Sequence, residues 1–209
     1  MLVKEFVEQE YKGLITEADY FRLLGKYSPP IAGQVNYYFD TPDFDLHKKG
    51  FTLRLREKSG EWELTLKTGD GIVDESIKNN NTAVKNEYTQ KLTQKPNLHR
   101  VIFLTNILHN CGAEEFFKTV LKGVRVEMLR SIGCLVTNRS KIEVGKKFVE
   151  LDKNYYLNFT DYEIEFEYND GRELSVLRTF LEENQITVLQ SGGKYTRFME
   201  RYRDYYKLS

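Results

Sequence analysis

Along much of the chain, apolar and polar residues alternate one for one, the period of a strand with one dry and one wet face. The alternation predicts strands near residues 3–12, 34–40, 50–58, 61–68, 84–92, 123–129, 134–143, 147–152 and 160–168. Helical spacing interrupts it. Thr16 with Asp19 three residues on has the form of a capping box, opening an amphipathic helix over ADYFRLLGKY. Further helices are predicted from about Asn97 to Cys111-Gly112, over EEFFKTVL, over roughly 172–184 and over KYTRFMERYRDYY. The run GDGIVDESIKNNN (69–81) reads as a connection. No internal repeat or linker composition divides the chain, so a single domain over 1–209 is expected.

The polar faces of these strands carry an unusual charge pattern. Glu8, Glu10 and Lys12 share one face of the first strand. Thr52, Arg54 and Arg56 share a face opposite Phe51, Leu53 and Leu55, and Glu63, Thr65 and Lys67 oppose Trp62, Leu64 and Leu66. Thr137, Arg139, Lys141 and Glu143 form another such row, and Glu163, Glu165 and Glu167 oppose Tyr162, Ile164, Phe166 and Tyr168. Ordinary half-solvated antiparallel strands would explain any one of these rows. Together they repeat like charges at same-face neighbours, about 6.6 Å apart by strand geometry. That repulsion is useful where something of opposite charge sits between the strands. A closed barrel reconciles the rows, with charged faces inward on a solvated lumen, apolar faces outward and helices covering part of the exterior. Small barrels ordinarily fill with apolar side chains, so a charged lumen calls for solvent, metal or anionic ligand.

Composition narrows the partners. Thirty-one basic and 31 acidic residues balance in 209, which gives no general electrostatic case for nucleic acid or an anionic membrane. Two cysteines, Cys111 and Cys134, make neither a disulfide framework nor a C-x-x-C site. MLVKEFVEQEYK lacks an apolar signal core, and no apolar run is long enough to span a bilayer, so a cytoplasmic location is expected.

Glu8-x-Glu10-x-Lys12 resembles the E-x-E-x-K signature of the CYTH superfamily, the triphosphate tunnel metalloenzymes. The resemblance continues in order through NYYFDTP (36–42), LRLREK (53–58), LTLK (64–67), GCLVTNR (133–139), LDKNYY (151–156), DYEIEFE (161–167) and GGKYTRF (192–198). NYYFDTP with DYEIEFE looks closest to the YjbK-like branch of Gram-positive bacteria. The likeness implies an α+β fold built on a closed eight-stranded antiparallel barrel with a charged lumen, flanked by helices. It further implies hydrolysis or rearrangement of triphosphates with Mg²⁺ or Mn²⁺. On the same grounds Glu8, Glu10, Glu163, Glu165 and Glu167 fall on metal-binding positions, while Arg54, Arg56, Lys67, Arg139 and Lys194 fall on phosphate-gripping ones. Lys12 matches the signature lysine that positions or activates the attacking water. Asp152 and Glu87 align with further acidic positions, although Lys85 or Asn86 stands where the family often has an arginine before that glutamate. Lys141, on the face of Arg139, is a further candidate.

The chemistry of the groups agrees with these roles. Carboxylates are hard ligands for Mg²⁺ or Mn²⁺. Arginine forks fit phosphate oxygens, and lysines act as point charges. A metal-dependent triphosphatase acting on a small-molecule triphosphate is the expected function. A class IV-type adenylate cyclase and a non-catalytic polyphosphate- or nucleotide-binding protein are the alternatives. SGGKYT (191–196) fails as a phosphate loop because Val188 stands where the first glycine is required. Gly192-Gly193 then reads as a turn or hinge. His99 and His109 have no metal spacing and His47 lies in a turn-like segment, so none is assigned chemistry. Asp40-Thr41-Pro42 reads as a structural strand exit, Tyr38 as a minor lumen candidate, and Trp62 as a residue of the apolar face.

Overall fold

A computed structural model describes residues 4–68, 82–93, 95–96, 117 and 119–206, with side chains from Gln9 onward in the first strand, from Asn86 onward in the fifth, and without that of Val126. The helix expected from Asn97, half of EEFFKTVL, the 69–81 connection, His99 and His109 lie outside the described residues. The α+β class is present. Eight strands are formed: β1 (Lys4–Leu14), β2 (Ile31–Asp40), β3 (Thr52–Lys58), β4 (Glu61–Thr68), β5 (Thr82–Leu92), β6 (Arg130–Val144), β7 (Lys147–Tyr156) and β8 (Phe159–Glu167). Helices α1 (Glu17–Tyr27), α2 (Asp45–Lys48), α3 (Leu174–Glu183) and α4 (Lys194–Tyr206) flank them in sequence.

One expected strand does not form. Residues 123–129 alternate, yet Val126–Met128 is a turn of 3-10 helix. Gly123, at φ 81°, bends the chain where a side chain would be strained. Val124 and Leu129 then reach the apolar core without a strand partner.

The described residues fall into two compact units, one within 1–7, 34–71 and 85–135, the other within 8–33, 72–84 and 136–209. The first holds the antiparallel order β2-β3-β4-β5. Its register pairs Tyr38 with Arg54, Arg54 with Thr65 and Thr65 with Thr89, and pairs Lys67 with Glu87. Because side chains alternate across a strand, one face carries this polar row while the other carries Phe39, Leu53, Leu55, Trp62, Leu64 and Leu66. These pack with Leu46, Phe117, Leu121, Val124 and Leu129 into one core. Trp62 thus belongs to the apolar face, as its alternation predicts. Asp40 is fully buried where β2 ends. Its Oδ1 accepts the backbone N–H groups of Thr41 and Leu46 at 2.8 and 2.9 Å, and its Oδ2 that of His47 at 3.0 Å. This carboxylate organises the turn that the sequence marked as a strand exit, and with it the single turn of α2.

The second unit holds the order β1-β8-β7-β6. Its core joins Ile142, Val149, Leu151, Ile164 and Phe166 from the strands to Tyr20 and Leu23 of α1 and Leu177 and Phe180 of α3. Each such side chain contributes about 1.5–3 kcal/mol relative to exposure. The N-cap half of the expected capping box is present: Thr16 Oγ1 accepts the Asp19 N–H at 3.1 Å, and the Asp19 carboxylate reaches back to the Thr16 hydroxyl, which donates to its Oδ2 at 2.7 Å. Ser28, in the left-handed region, closes α1. Past α3, Leu189 bridges to Leu14 through reciprocal backbone hydrogen bonds of 2.8 and 2.9 Å. That bridge ties the chain entering α4 to β1.

Candidate active site

In the second unit, strand register gathers the charges. Arg139 stands opposite Asp152, and Asp152 opposite Glu163; Lys141 stands opposite Glu150, Glu150 opposite Glu165, and Glu165 opposite Lys12. Directly opposed carboxylates repel, so Asp152–Glu163 and Glu150–Glu165 need cations between them. Three are supplied. Arg139 clamps Asp152 with two bonds of 2.6 and 2.7 Å and also pairs with Glu150 and Glu165. Lys194 Nζ, from the start of α4, lies 2.5 Å from Glu163 and 2.7 Å from both Asp152 and Glu165. Arg197, one turn on, bonds Glu163 and Asp161 at 2.9 and 2.8 Å. Lys12 pairs with Glu10.

The electrostatics follow from burial set against partners. Burial pushes the Glu163 carboxyl up, Glu165 adds to the rise, and Lys194 and Arg197 do not reverse it. Burial would also raise Glu165, but Lys194, Arg139 and Lys12 hold it well below the usual carboxylate range. Burial disfavours the Lys194 and Arg139 charges, yet the facing carboxylates lift both well above their ordinary values. Lys12 is raised too, with Glu10, Glu165 and Glu163 outweighing its desolvation.

Asp152, Glu163 and Glu165 each offer one carboxylate oxygen, and these oxygens all lie within 4.8 Å of one another. Hard oxygen donors gathered in this way suit a metal ion. Behind the trio lies a buried polar shelf. Asn154 accepts from Thr137 at 2.7 Å and donates to Asp161 at 2.8 Å, and the Tyr156 hydroxyl donates to Asp161 at 2.6 Å. Burial and that bond push the Tyr156 phenol up.

The first unit gathers cations. Lys67 Nζ lies 2.8 Å from Glu87, and Arg54 Nη2 lies 3.6 Å from it. Burial would raise the Glu87 carboxyl, but Arg54 and Lys67 outweigh it and lower it to about 2. Arg56 donates to Asn36 at 2.9 Å and pairs with Glu63 at 3.4 Å. Arg54 is 9% exposed, and its Nε has no hydrogen-bond partner among the described residues. Tyr38, opposite Arg54, is buried as well.

Of the residues singled out from sequence, Glu163, Glu165, Asp152, Arg139, Lys194 and Lys12 come together in one unit. Arg54, Lys67 and Glu87 come together in the other, so Glu87 sits among cations rather than in the carboxylate trio. Glu10 is buried against Lys12, whereas the side chain of Glu8 lies outside the described residues. Glu167 is exposed, and Lys141 is half-exposed with its Nζ 2.6 Å from Glu150. Sequence reading assigned no role to Arg197, Asp161 or Glu150. The signal was present: Asp161 shares the two-residue period of Glu163 and Glu165, and Arg197 lies three positions after Lys194 on one helix face.

The chain matches the CYTH domain family over residues 7–199. It is 28% identical over 207 residues to a Bacillus subtilis (strain 168) protein named "Putative triphosphatase YjbK", covering 94% of this chain and 96% of that one. Its fold is similar to the crystal structure of a "putative adenylate cyclase" from Bacillus halodurans, with TM-score 0.69, 25% identity, and coverage of 93% of this chain and 98% of that one. A Hippeastrum "putative adenylyl cyclase", whose structural description reports a dominant triphosphatase activity, is similar in fold at TM-score 0.64 and 21% identity, over 92% of this chain and 95% of that one. No helix among the described residues is long and apolar enough to cross a membrane.

Proposed function

The chain belongs to the CYTH domain family, and on that premise we propose that it hydrolyses a triphosphate, either inorganic or carried on a small organic group, with Mg²⁺ or Mn²⁺ as cofactor. In this reading the eight strands close into a barrel with a charged lumen. The observation that carries it is Arg54, a buried guanidinium whose Nε has no acceptor among the described residues and whose ion pair to Glu87 is a loose 3.6 Å. A native buried donor left unsatisfied asks for an explanation, and an anionic substrate supplies one. The B. subtilis relative named for triphosphatase activity supports the same substrate class.

The roles follow from the groups. Arg54 and Arg56 offer planar forks to phosphate oxygens, and Lys67, Arg139 and Lys194 add point or forked charge along the phosphate chain. Asp152, Glu163 and Glu165 hold the divalent ion together with Glu8 and Glu10, and Glu167 extends this acidic row outward. When bound, the ion supplies positive charge against phosphate oxygens. Lys12, held by Glu10, orients the attacking water in line with the leaving oxygen. Phosphoryl transfer asks chiefly for positioning and charge stabilisation, and such a set provides both without a covalent nucleophile.

The test is one screen of tripolyphosphate and ATP with each metal, reading every product. Orthophosphate released only with metal, and abolished in Glu163→Gln, is the expected result. Cyclic AMP with pyrophosphate would replace the proposal by a cyclase. Tight binding without turnover would replace it by a non-catalytic polyphosphate or nucleotide binder.

A further inference from the structure

Lys194 is the first residue of α4 and follows Gly192-Gly193 directly. Its ammonium pairs with Asp152, Glu163 and Glu165 at 2.7, 2.5 and 2.7 Å. Those are the same three residues whose oxygens come close enough to share a metal ion. An ammonium and a divalent cation seek the same centre there, and two cations cannot occupy it together, because like charges that close repel strongly in a partly buried site.

The neighbouring cations are tied elsewhere. Arg139 also pairs with Glu150, and Arg197 also bonds Asp161 and donates to the Gly192 carbonyl at 2.6 Å. Lys194 has a long flexible stem and rotatable donors rather than a fixed fork, so it is the cation best able to leave. We infer that Lys194 is a built-in placeholder: its ammonium fills the carboxylate trio of the metal-free protein, and a divalent ion enters as that side chain moves out. This rests on the metal reading of the trio given above.

Two consequences follow. With the placeholder seated, the like-charged row stays neutralised, so the metal-free site is a folded one. Once displaced, the ammonium is a nearby cation in need of an anion, which a phosphate oxygen provides. Metal and triphosphate therefore bind with positive coupling, and the coupling is reciprocal. Lys194 thereby gains a positioning role that a fixed phosphate contact would not have.

The test measures Mn²⁺ binding to substrate-free protein by electron paramagnetic resonance. Lys194→Met and Lys194→Gln are expected to bind Mn²⁺ about tenfold or more tightly than wild type, because no ammonium has to leave. Unchanged or weaker binding in a folded variant, with Glu163→Gln still losing the ion, overturns the placeholder and leaves the metal reading standing. Absence of Mn²⁺ binding from wild type and variants alike overturns both. The wild-type protein gives a second readout should the variants fail to fold. Amine-specific labelling of Lys194, followed by peptide mass spectrometry, is expected to rise several-fold on Mn²⁺ addition; labelling that does not change overturns the inference.

Discussion

Arg197 and Glu163 meet as a buried two-point ion pair, Nη2 2.9 Å from Oε2 and Nη1 3.1 Å from Oε1. The same guanidinium donates through Nε to Asp161 at 2.8 Å. One helix residue thus neutralises two carboxylates of β8 that have little access to water. Removing one partner of a buried pair leaves an uncompensated charge, which costs about 3–5 kcal/mol. Arg197→Met is expected to lose that much in urea denaturation, and Arg197→Lys, which keeps charge but not the fork, to lose less. A loss below about 1 kcal/mol in Arg197→Met would mean that the carboxylates are compensated without it.

The pair also marks what the sequence could and could not convey. Strand faces were legible because alternation is local: Glu163 and Glu165 announce a charged face whatever they meet. The start of α1 was legible through Thr16 and Asp19, and α4 through its apolar spacing. Partner choice was not legible, since Arg197 finds Glu163 across 34 residues by way of the Leu14–Leu189 bridge and the helix that follows. Alternation misled at 123–129, where Val124 and Leu129 are drawn into a core instead of a ladder. It was silent at α2, whose turn depends on a carboxylate at the end of the preceding strand.

That carboxylate gives a second expectation. Asp40 accepts three backbone N–H groups while fully buried. Asp40→Ala strands those donors away from water, at about 1–3 kcal/mol for an unsatisfied group. The total loss is expected at about 2–4 kcal/mol, with Asp40→Asn recovering part because its side-chain oxygen still accepts. Thermal unfolding of both variants checks the order. Equal stability of Asp40→Ala and wild type would show that the turn holds without the cap.

Glu87 sets an acid dependence. Its carboxyl is lowered from 4.5 to about 2, because Arg54 and Lys67 outweigh its burial. A carboxylate depressed in the folded state contributes stability that is complete above its unfolded value and is lost as pH falls through the folded one. The wild-type advantage over Glu87→Gln is therefore expected to be on the order of 2–3 kcal/mol at neutral pH. It should shrink steadily between about pH 5 and pH 2, because glutamine resembles the protonated acid. Chemical denaturation across that range measures the gap, and a gap independent of pH would remove the ion pairs as its cause.

Arg54 sets binding and stability side by side. Its only short-range anion among the described residues, Glu87 at 3.6 Å, keeps the closer Lys67 at 2.8 Å when Arg54 is replaced. Its buried Nε has no hydrogen-bond partner among the described residues, so the folded protein uses only part of the guanidinium's donor capacity. Arg54 is nonetheless the larger of the two charges that lower Glu87, and Lys67 remains to compensate that carboxylate once Arg54 is replaced. Arg54→Met is therefore expected to lose part of the Glu87 contribution, about 1–2 kcal/mol of unfolding free energy. A substrate phosphate loses charge-assisted hydrogen bonds worth about 1.5–3 kcal/mol, so tripolyphosphate affinity is expected to fall roughly 10- to 100-fold. Calorimetric titration without metal, beside urea denaturation of the same samples, measures both quantities. A stability loss with unchanged affinity would reverse the assignment and make Arg54 a partner of Glu87 rather than of phosphate.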